Sequence, residues 1–315
     1  MNITNFKKYT SYVKHIKKSN IEDIYIEKDY FISVFLSTWQ ELKDNGKVHN
    51  LDNLIFKGGT LLARNYLDYP RISGDIDFTY EGSNDLRKLE SKNKREKAIL
   101  GLIAPIIEDF KLICNKANFS FEMKRTNRKY IIVRNSRAVY ILNVYYNSFI
   151  TREEIPIKIE LNFLENVLHN CIKLKISNIV KQDLFLRSIG YTLSDIEIKT
   201  YPLDEIILEK YRAVLTRPVL KERDVFDLYL INKNCKNIFK FDRKLIFKKI
   251  ESGYMISPDL SNNLNKNCKL LYDGKFGNSD DDINRLSLIQ INKKDYCEFK
   301  DRLNDKLNDI CRLSV

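Results

Sequence analysis

The 315-residue chain is poor in the residues that usually mark a site. It has three histidines (His15, His49 and His169), one tryptophan, six prolines and ten glycines. Its six cysteines, at 114, 171, 235, 268, 297 and 311, never stand closer than fourteen residues, and no C-x-x-C pair occurs. With neither paired cysteines nor enough histidines, a structural zinc site is not expected. Scattered cysteines without a framework fit reduced thiols in a cytoplasmic protein. The scarcity of glycine and proline excludes collagenous and low-complexity chains. Long hydrophobic runs are missing too. The longest nearly apolar stretch, 99–107, contains Pro105 and is about half a membrane span. The opening MNITNFKKYT has no apolar run of signal-peptide type. No membrane partner is expected.

What the chain does have is core material and positive charge. Hydrophobic residues make up 43% and aromatics 11%, ample for a folded core. Lys and Arg outnumber Asp and Glu by 54 to 42, a net +12 that favours polyanionic partners, nucleic acid first. Three of the ten glycines, Gly58, Gly59 and Gly74, fall within seventeen residues. Such a cluster points to backbone held where side chains do not fit.

The periodicity predicts a helix over 21–44, with Ile24, Tyr25, Lys28, Phe31, Ile32, Phe35, Leu36 and Trp39 at helical spacing. A strand at 54–56 runs into Lys57-Gly58-Gly59-Thr60, and a helix is expected from 60 to 69, ended by Pro70. Then come a strand at 75–80, a helix over 85–117, and strands at about 118–125, 130–134, 138–147 and 157–163. From 203 onward the periodicity is helical. These elements predict an α+β fold: a mixed sheet flanked by helices over 1–200, then a mainly helical domain over 201–315.

The chemistry gathers around one strand. Residues i and i+2 of a strand share a face, so Asp75 and Asp77 present their carboxylates side by side. In 157–163 polar and apolar residues alternate, which puts Glu160 on the polar face of a neighbouring strand. Three oxygen donors on adjacent strands suit Mg²⁺ together with substrate phosphates, and Mn²⁺ could stand in for it. Glu160 completes the cation site or acts as a base. A strand, a Gly-Gly-Thr turn and a helix start aim backbone N–H groups and a hydroxyl at one spot, which describes a phosphate site.

Phe56-Lys57-Gly58-Gly59-Thr60-Leu61-Leu62 followed by Arg71-Ile72-Ser73-Gly74-Asp75-Ile76-Asp77-Phe78 resembles the signature of the AbiEii/AbiGii toxin family. That family belongs to the nucleotidyltransferase superfamily, related in fold to DNA polymerase beta. Ile26-Glu27-Lys28-Asp29-Tyr30-Phe31 resembles its lead-in helix. Residues 205–210 and 221–229 resemble its later motifs. Thr60 stands where the wider superfamily has Gly-Ser, and the spacer to Asp75 is longer than usual. Either Thr60 or Ser73 therefore supplies the hydroxyl on the phosphates. The resemblance implies an NTP held by Lys57, Gly58, Gly59, Thr60, Arg71 and Ser73, with Asp75, Asp77 and Glu160 on the metal. It also implies transfer of NMP to an RNA, most readily the tRNA 3′ end, with release of pyrophosphate. A cognate antitoxin encoded nearby would control such a toxin. The alternatives are a nucleotidyltransferase that modifies a protein or small molecule, and a non-catalytic RNA-binding relative.

Lys210 stands out independently of the resemblance. It interrupts an apolar helical stripe formed by Leu203, Ile206, Ile207 and Val214. A buried ammonium needs an anion, and the resemblance supplies one in the triphosphate. Asp227, the only charge in 225–231, either holds Lys210 or an arginine in place or acts as a base. Asp224 either joins the nucleotide site or pairs with Arg212 or Arg223. Between Arg87 and Arg137 there are fourteen Lys and Arg against five Asp and Glu. Lys92, Lys94, Arg95, Lys97, Lys124, Arg125, Arg128, Lys129, Arg134 and Arg137 are expected to offer RNA a phosphate-tracking surface. Asp280-Asp281-Asp282 reads as a solvated loop or a helix start.

Overall fold

A seven-stranded mixed sheet organises the first of two units in the computed structural model, which describes residues 1–124, 126–274 and 287–312. That unit takes in Met1–Leu164 and Cys171–Thr200. Its elements in chain order are α1 (Ile3–Lys17), α2 (Asp23–Asp44), β1 (Leu54–Lys57), α3 (Gly58–Leu61), β2 (Asp75–Tyr80), α4 (Ser83–Lys88), α5 (Lys92–Ala117), β3 (Ile131–Arg134), β4 (Val139–Asn147), β5 (Glu154–Asn162), β6 (Ile172–Lys175), α6 (Leu184–Ser188) and β7 (Glu197–Thr200).

The strand order is β3-β4-β5-β2-β1-β7-β6. β2 therefore lies centrally, antiparallel to β1 and parallel to β5. Its even-numbered side chains face the core. Ile76 and Phe78 are fully buried, and Phe78 meets Phe56 of β1 and Trp39 of α2 ring to ring. The odd-numbered side chains, Asp75 and Asp77, are left on the opposite face and partly exposed.

The second unit takes in Glu165–Asn170 and most of the chain from Tyr201 onward. It holds α7 (Leu203–Thr216), α8 (Glu222–Asn234), α9 (Arg243–Ser252), α10 (Asp259–Tyr272) and α11 (Lys293–Cys311), with no strand among its described residues. The overall class is α+β, as the sequence pattern predicts. Asp280-Asp281-Asp282 and Arg125 lie outside the described residues.

Several elements differ from the pattern reading. In place of the strand expected at about 118–125, the described residues 118–124 form only one bridge, between Ser120 and Tyr145. Phe119 and Phe121 are buried on either side of Ser120, so the period-2 alternation is real although the ladder is absent. The helix expected over 85–117 breaks at 89–91, where the Ser91 hydroxyl accepts from the Lys94 N–H and starts α5. The helix expected to reach residue 69 instead continues α3 through one π turn, Leu62–Tyr66. Asp68 and Tyr69 then take positive φ. The cysteines differ as well. Cys268 of α10 and Cys311 at the end of α11 form a disulfide across 43 residues. Helix packing brings that pair together, and no short spacing could announce it.

Candidate active site

Register decides what Asp77 faces. Across the antiparallel pair it lies opposite Lys57 of β1, and across the parallel pair it lies opposite Glu160 of β5. Asp75 lies opposite Lys158 in the same ladder. Side chains in register share a face, so three acids and two lysines crowd one patch of the sheet. Lys158 Nζ reaches Glu160 Oε2 at 3.2 Å, and Lys57 is buried. The acids are not fully neutralised by these lysines. Burial, then the charges of Glu160 and Asp75, push the Asp77 carboxyl up to about 7 against the pull of Lys57 and Lys158.

The glycines make room for this crowding. Gly58 has φ +78°, and a Cβ there would overlap Asp77 Oδ2 and lie 2.9 Å from its Cγ. A Cβ at Gly59 would lie 2.8 Å from Arg71 Nη2 and 3.1 Å from Ser73 Oγ. The turn can therefore carry only glycine while the Asp77 carboxyl and the Arg71–Ser73 side chains remain against it. The Thr60 hydroxyl donates to the Asp75 carbonyl oxygen, tying α3 to the head of β2. That contact separates the two hydroxyl candidates: Thr60 holds backbone, whereas Ser73 faces the glycine turn. Arg71 is buried and its Nη1 donates to the Ile72 carbonyl at 3.0 Å.

One residue of this patch was not assigned a role from sequence. Lys28 of α2 packs against Gly74, where a Cβ would come within 3.0 Å of its Nζ. Burial holds the Lys28 ammonium below its ordinary range, Asp75 pulls it back up, and Lys158 adds to the lowering. The signal was the same one that picks out Lys210, a lysine inside an apolar helical stripe.

In the second unit Lys210 is buried between two carboxylates, Asp224 Oδ1 at 2.8 Å and Asp227 Oδ2 at 2.6 Å. Burial alone would raise the Asp224 carboxyl. Lys210 and Arg217, the latter at 2.8 Å, outweigh it and hold the group below its ordinary value. Arg212 does not pair with Asp224. It makes a two-pronged bond to Glu165, at 2.6 and 2.9 Å. Glu165 also meets Lys249 at 3.0 Å, and Lys249 meets Glu205 at 2.6 Å, with all three side chains fully buried. Glu205 in turn accepts from the N–H groups of Leu168 and His169 and bonds the His169 ring.

The donor chemistry of the first unit fits a hard divalent cation: oxygen ligands only, with negative charge that the neighbouring lysines leave partly unmatched. Among the described residues no three acidic, histidine or cysteine side chains converge tightly enough to form a ready-made cage. Glu160 is turned toward Lys158.

The chain matches the family model described as nucleotidyl transferase AbiEii toxin, type IV TA system, over residues 42–310. It belongs to the AbiEii toxin family. It is accordingly a nucleotidyltransferase toxin, and the type IV toxin–antitoxin class implies a cognate antitoxin. Among solved structures it is similar to MenT4, a nucleotidyltransferase toxin from Mycobacterium tuberculosis H37Rv. The two are 15% identical, with a TM-score of 0.50 covering 95% of this chain and 89% of that one. JHP933 from Helicobacter pylori is 16% identical, with a TM-score of 0.40 over 93% of both chains. No curated protein matches the chain in sequence. In this AbiEii member, no helix among the described residues is long and apolar enough to cross a membrane.

Proposed function

We propose that the first unit binds an NTP with Mg²⁺ on the face of Asp75, Asp77 and Glu160 and transfers its NMP to the 3′ hydroxyl of a tRNA in the cytoplasm. The observation that carries this reading is the register that sets Asp77 between Lys57 and Glu160, with the Gly58-Gly59 turn closed onto its carboxyl. The acceptor oxygen bonds to the α-phosphorus, the bond from that phosphorus to the bridging oxygen breaks, and pyrophosphate leaves. Bound Mg²⁺, or Mn²⁺, would offset charge on the phosphates and favour ionisation of the acceptor hydroxyl. Asp75 and Asp77 would hold it, with Glu160 beside them. Ser73 and the glycine turn would seat the terminal phosphates, while Arg71, Lys57 and Lys28 would offset their charge.

The test is direct. Purified protein is incubated with Mg²⁺, each labelled NTP in turn, and total tRNA. Label should enter tRNA, and Asp75→Ala should abolish it. Label entering protein or small metabolites would refute the acceptor, and unchanged labelling by Asp75→Ala would refute the site. Lys210→Ala, which removes the cation between Asp224 and Asp227, is run in the same assay.

A further inference from the structure

Positive charge is distributed differently in the fold than along the chain. The basic stretch from 87 to 137 is partly neutralised by its own surroundings. Lys88, Lys92, Lys94, Lys116, Lys129 and Arg137 are ion-paired, and Arg87, Arg95 and Lys111 donate to backbone carbonyls. α1 is different. Among the described helices of ten residues or more, it alone contains no acidic residue. Lys14 and Lys17 reach Asp23 and Asp68 outside the helix. Lys7 and Lys8 are exposed, with no ion pair among the described residues.

These two lysines border a groove of about 740 Å³ together with Ser11, Tyr12, His15 and Phe185 of α6. The Tyr12 and Phe185 rings stack with centroids 5.1 Å apart. Asp183 fixes the pair from both sides: it accepts from the Tyr12 hydroxyl and from the Leu186 N–H that starts α6. Phe185 is nevertheless 41% exposed, and its neighbour Leu184 is 84% exposed. An immobilised aromatic pair beside unpaired lysines provides both interactions that bind single strands, ring faces for unstacked bases and cations for phosphates.

We propose that the groove between α1 and α6 binds single-stranded RNA, with a base on the Tyr12–Phe185 pair and phosphates on Lys7 and Lys8. The inference rests on the reading of RNA as the acceptor and names where that RNA is gripped. A protein partner fits less well, because it would have to desolvate Lys7 and Lys8, for which the groove provides no counter-charge.

The test is fluorescence anisotropy with a labelled single-stranded RNA oligonucleotide across a salt series. Replacing Lys7 and Lys8 together by glutamine should weaken binding and flatten the slope of log affinity against log salt by about 1.4, roughly 0.7 for each lost phosphate contact. Phe185→Ala should weaken binding about tenfold and leave the slope alone. The paired control Lys92→Gln with Lys94→Gln should change both far less. If the groove variants bind RNA as the wild type does, or the control loses as much, the groove assignment is overturned and a protein-docking surface takes its place. If the wild type binds no RNA at any salt, the acceptor reading itself fails.

Discussion

Gly58 offers a way to separate backbone strain from damage to the site, because Gly46 provides a matched control. Both have positive φ, +78° and +65°. Alanine at either position must adopt a left-handed conformation costing about 1–2 kcal/mol. At Gly46 the added Cβ would find its nearest neighbour, an atom of the His49 ring, at 4.0 Å. At Gly58 the same Cβ would overlap the Asp77 carboxyl, with Cγ at 2.9 Å and Cβ at 3.0 Å. Asp77 cannot retreat freely, since Lys57 and Glu160 flank it in register. Relief must come from turning the carboxyl or parting β1 from β2, an overpacking cost of about 1–3 kcal/mol.

Gly46→Ala should therefore lose about 1–2 kcal/mol and Gly58→Ala about 2–5 kcal/mol. Urea unfolding followed through Trp39, the single tryptophan, reads the difference, because its ring meets Phe78 of β2. The activity contrast should be larger. Moving a reacting group by about 1 Å costs on the order of 100-fold, so nucleotidyl transfer should fall at least that far in Gly58→Ala and stay near wild type in Gly46→Ala. If the two variants unfold within about 0.5 kcal/mol of each other and retain similar activity, the turn is not closed onto Asp77 as described.

Three further outcomes follow from the charges. Because the Asp77 carboxyl is pushed up to about 7, its folded value lies above its unfolded one. It therefore favours the metal-free fold at low pH, and that contribution is lost as pH rises through about 7. Asp77→Asn should flatten this dependence and raise the melting temperature at pH 8, while Mg²⁺ binding to the wild type, measured by calorimetry, should strengthen from pH 6 to 8. A wild-type melting curve insensitive to pH over that range would refute the assignment. Lys249→Met strips Glu205 of its fully buried cation and should cost about 3–5 kcal/mol; urea unfolding followed by circular dichroism at 222 nm should show it, and a loss under about 1 kcal/mol would contradict the buried network. Lys28→Met should leave stability unchanged or higher yet weaken NTP binding about tenfold, roughly 1.4 kcal/mol for a charge-assisted contact; equal NTP affinity in a filter assay would exclude Lys28 from the phosphates.

The shared face of Asp75, Asp77 and Glu160 was legible in the sequence because strand alternation acts at short range. Asp75, Asp77 and Glu160 each stand next to core side chains of their own strand, Ile76, Phe78, Ile159 and Leu161, so period 2 assigns their face before any fold is known. α1 was not read from the sequence, although Phe6, Tyr9, Thr10 and Val13 are buried at helical spacing. Long-range pairing was not legible. Arg64 meets Asp29 at 2.7 Å, both buried, across 35 residues. Glu165, Arg212, Lys249, Glu205 and His169 form one network whose members are joined only by helix packing. A count of charges likewise cannot see pairs: Lys92, Lys94, Lys129 and Arg137 of the basic stretch are ion-paired, whereas Lys97, Lys124, Arg128 and Arg134 are exposed with no ion pair among the described residues.

Three lysines interrupt apolar helix faces, and what separates them is whether the fold closes their charge. Lys249 is closed by Glu165 and Glu205, and Lys210 by Asp224 and Asp227. Removing either leaves a carboxylate buried and unmatched, so both are bound to stability whatever else they do. Lys28 makes no hydrogen bond or ion pair among the described residues, although burial disfavours its charge. The same patch holds Asp77, Glu160 and Asp75, where burial first, then the charges of Glu160 and Asp75, lifts the Asp77 carboxyl. Lys158 reaches Glu160 and Asp75 attracts the Lys28 ammonium, yet no carboxylate among the described residues lies in ion-pair contact with Lys28. A ligand that satisfies both must carry both signs: anionic oxygens for Lys28 and a cation for the acids. The metal–NTP complex proposed above would carry both.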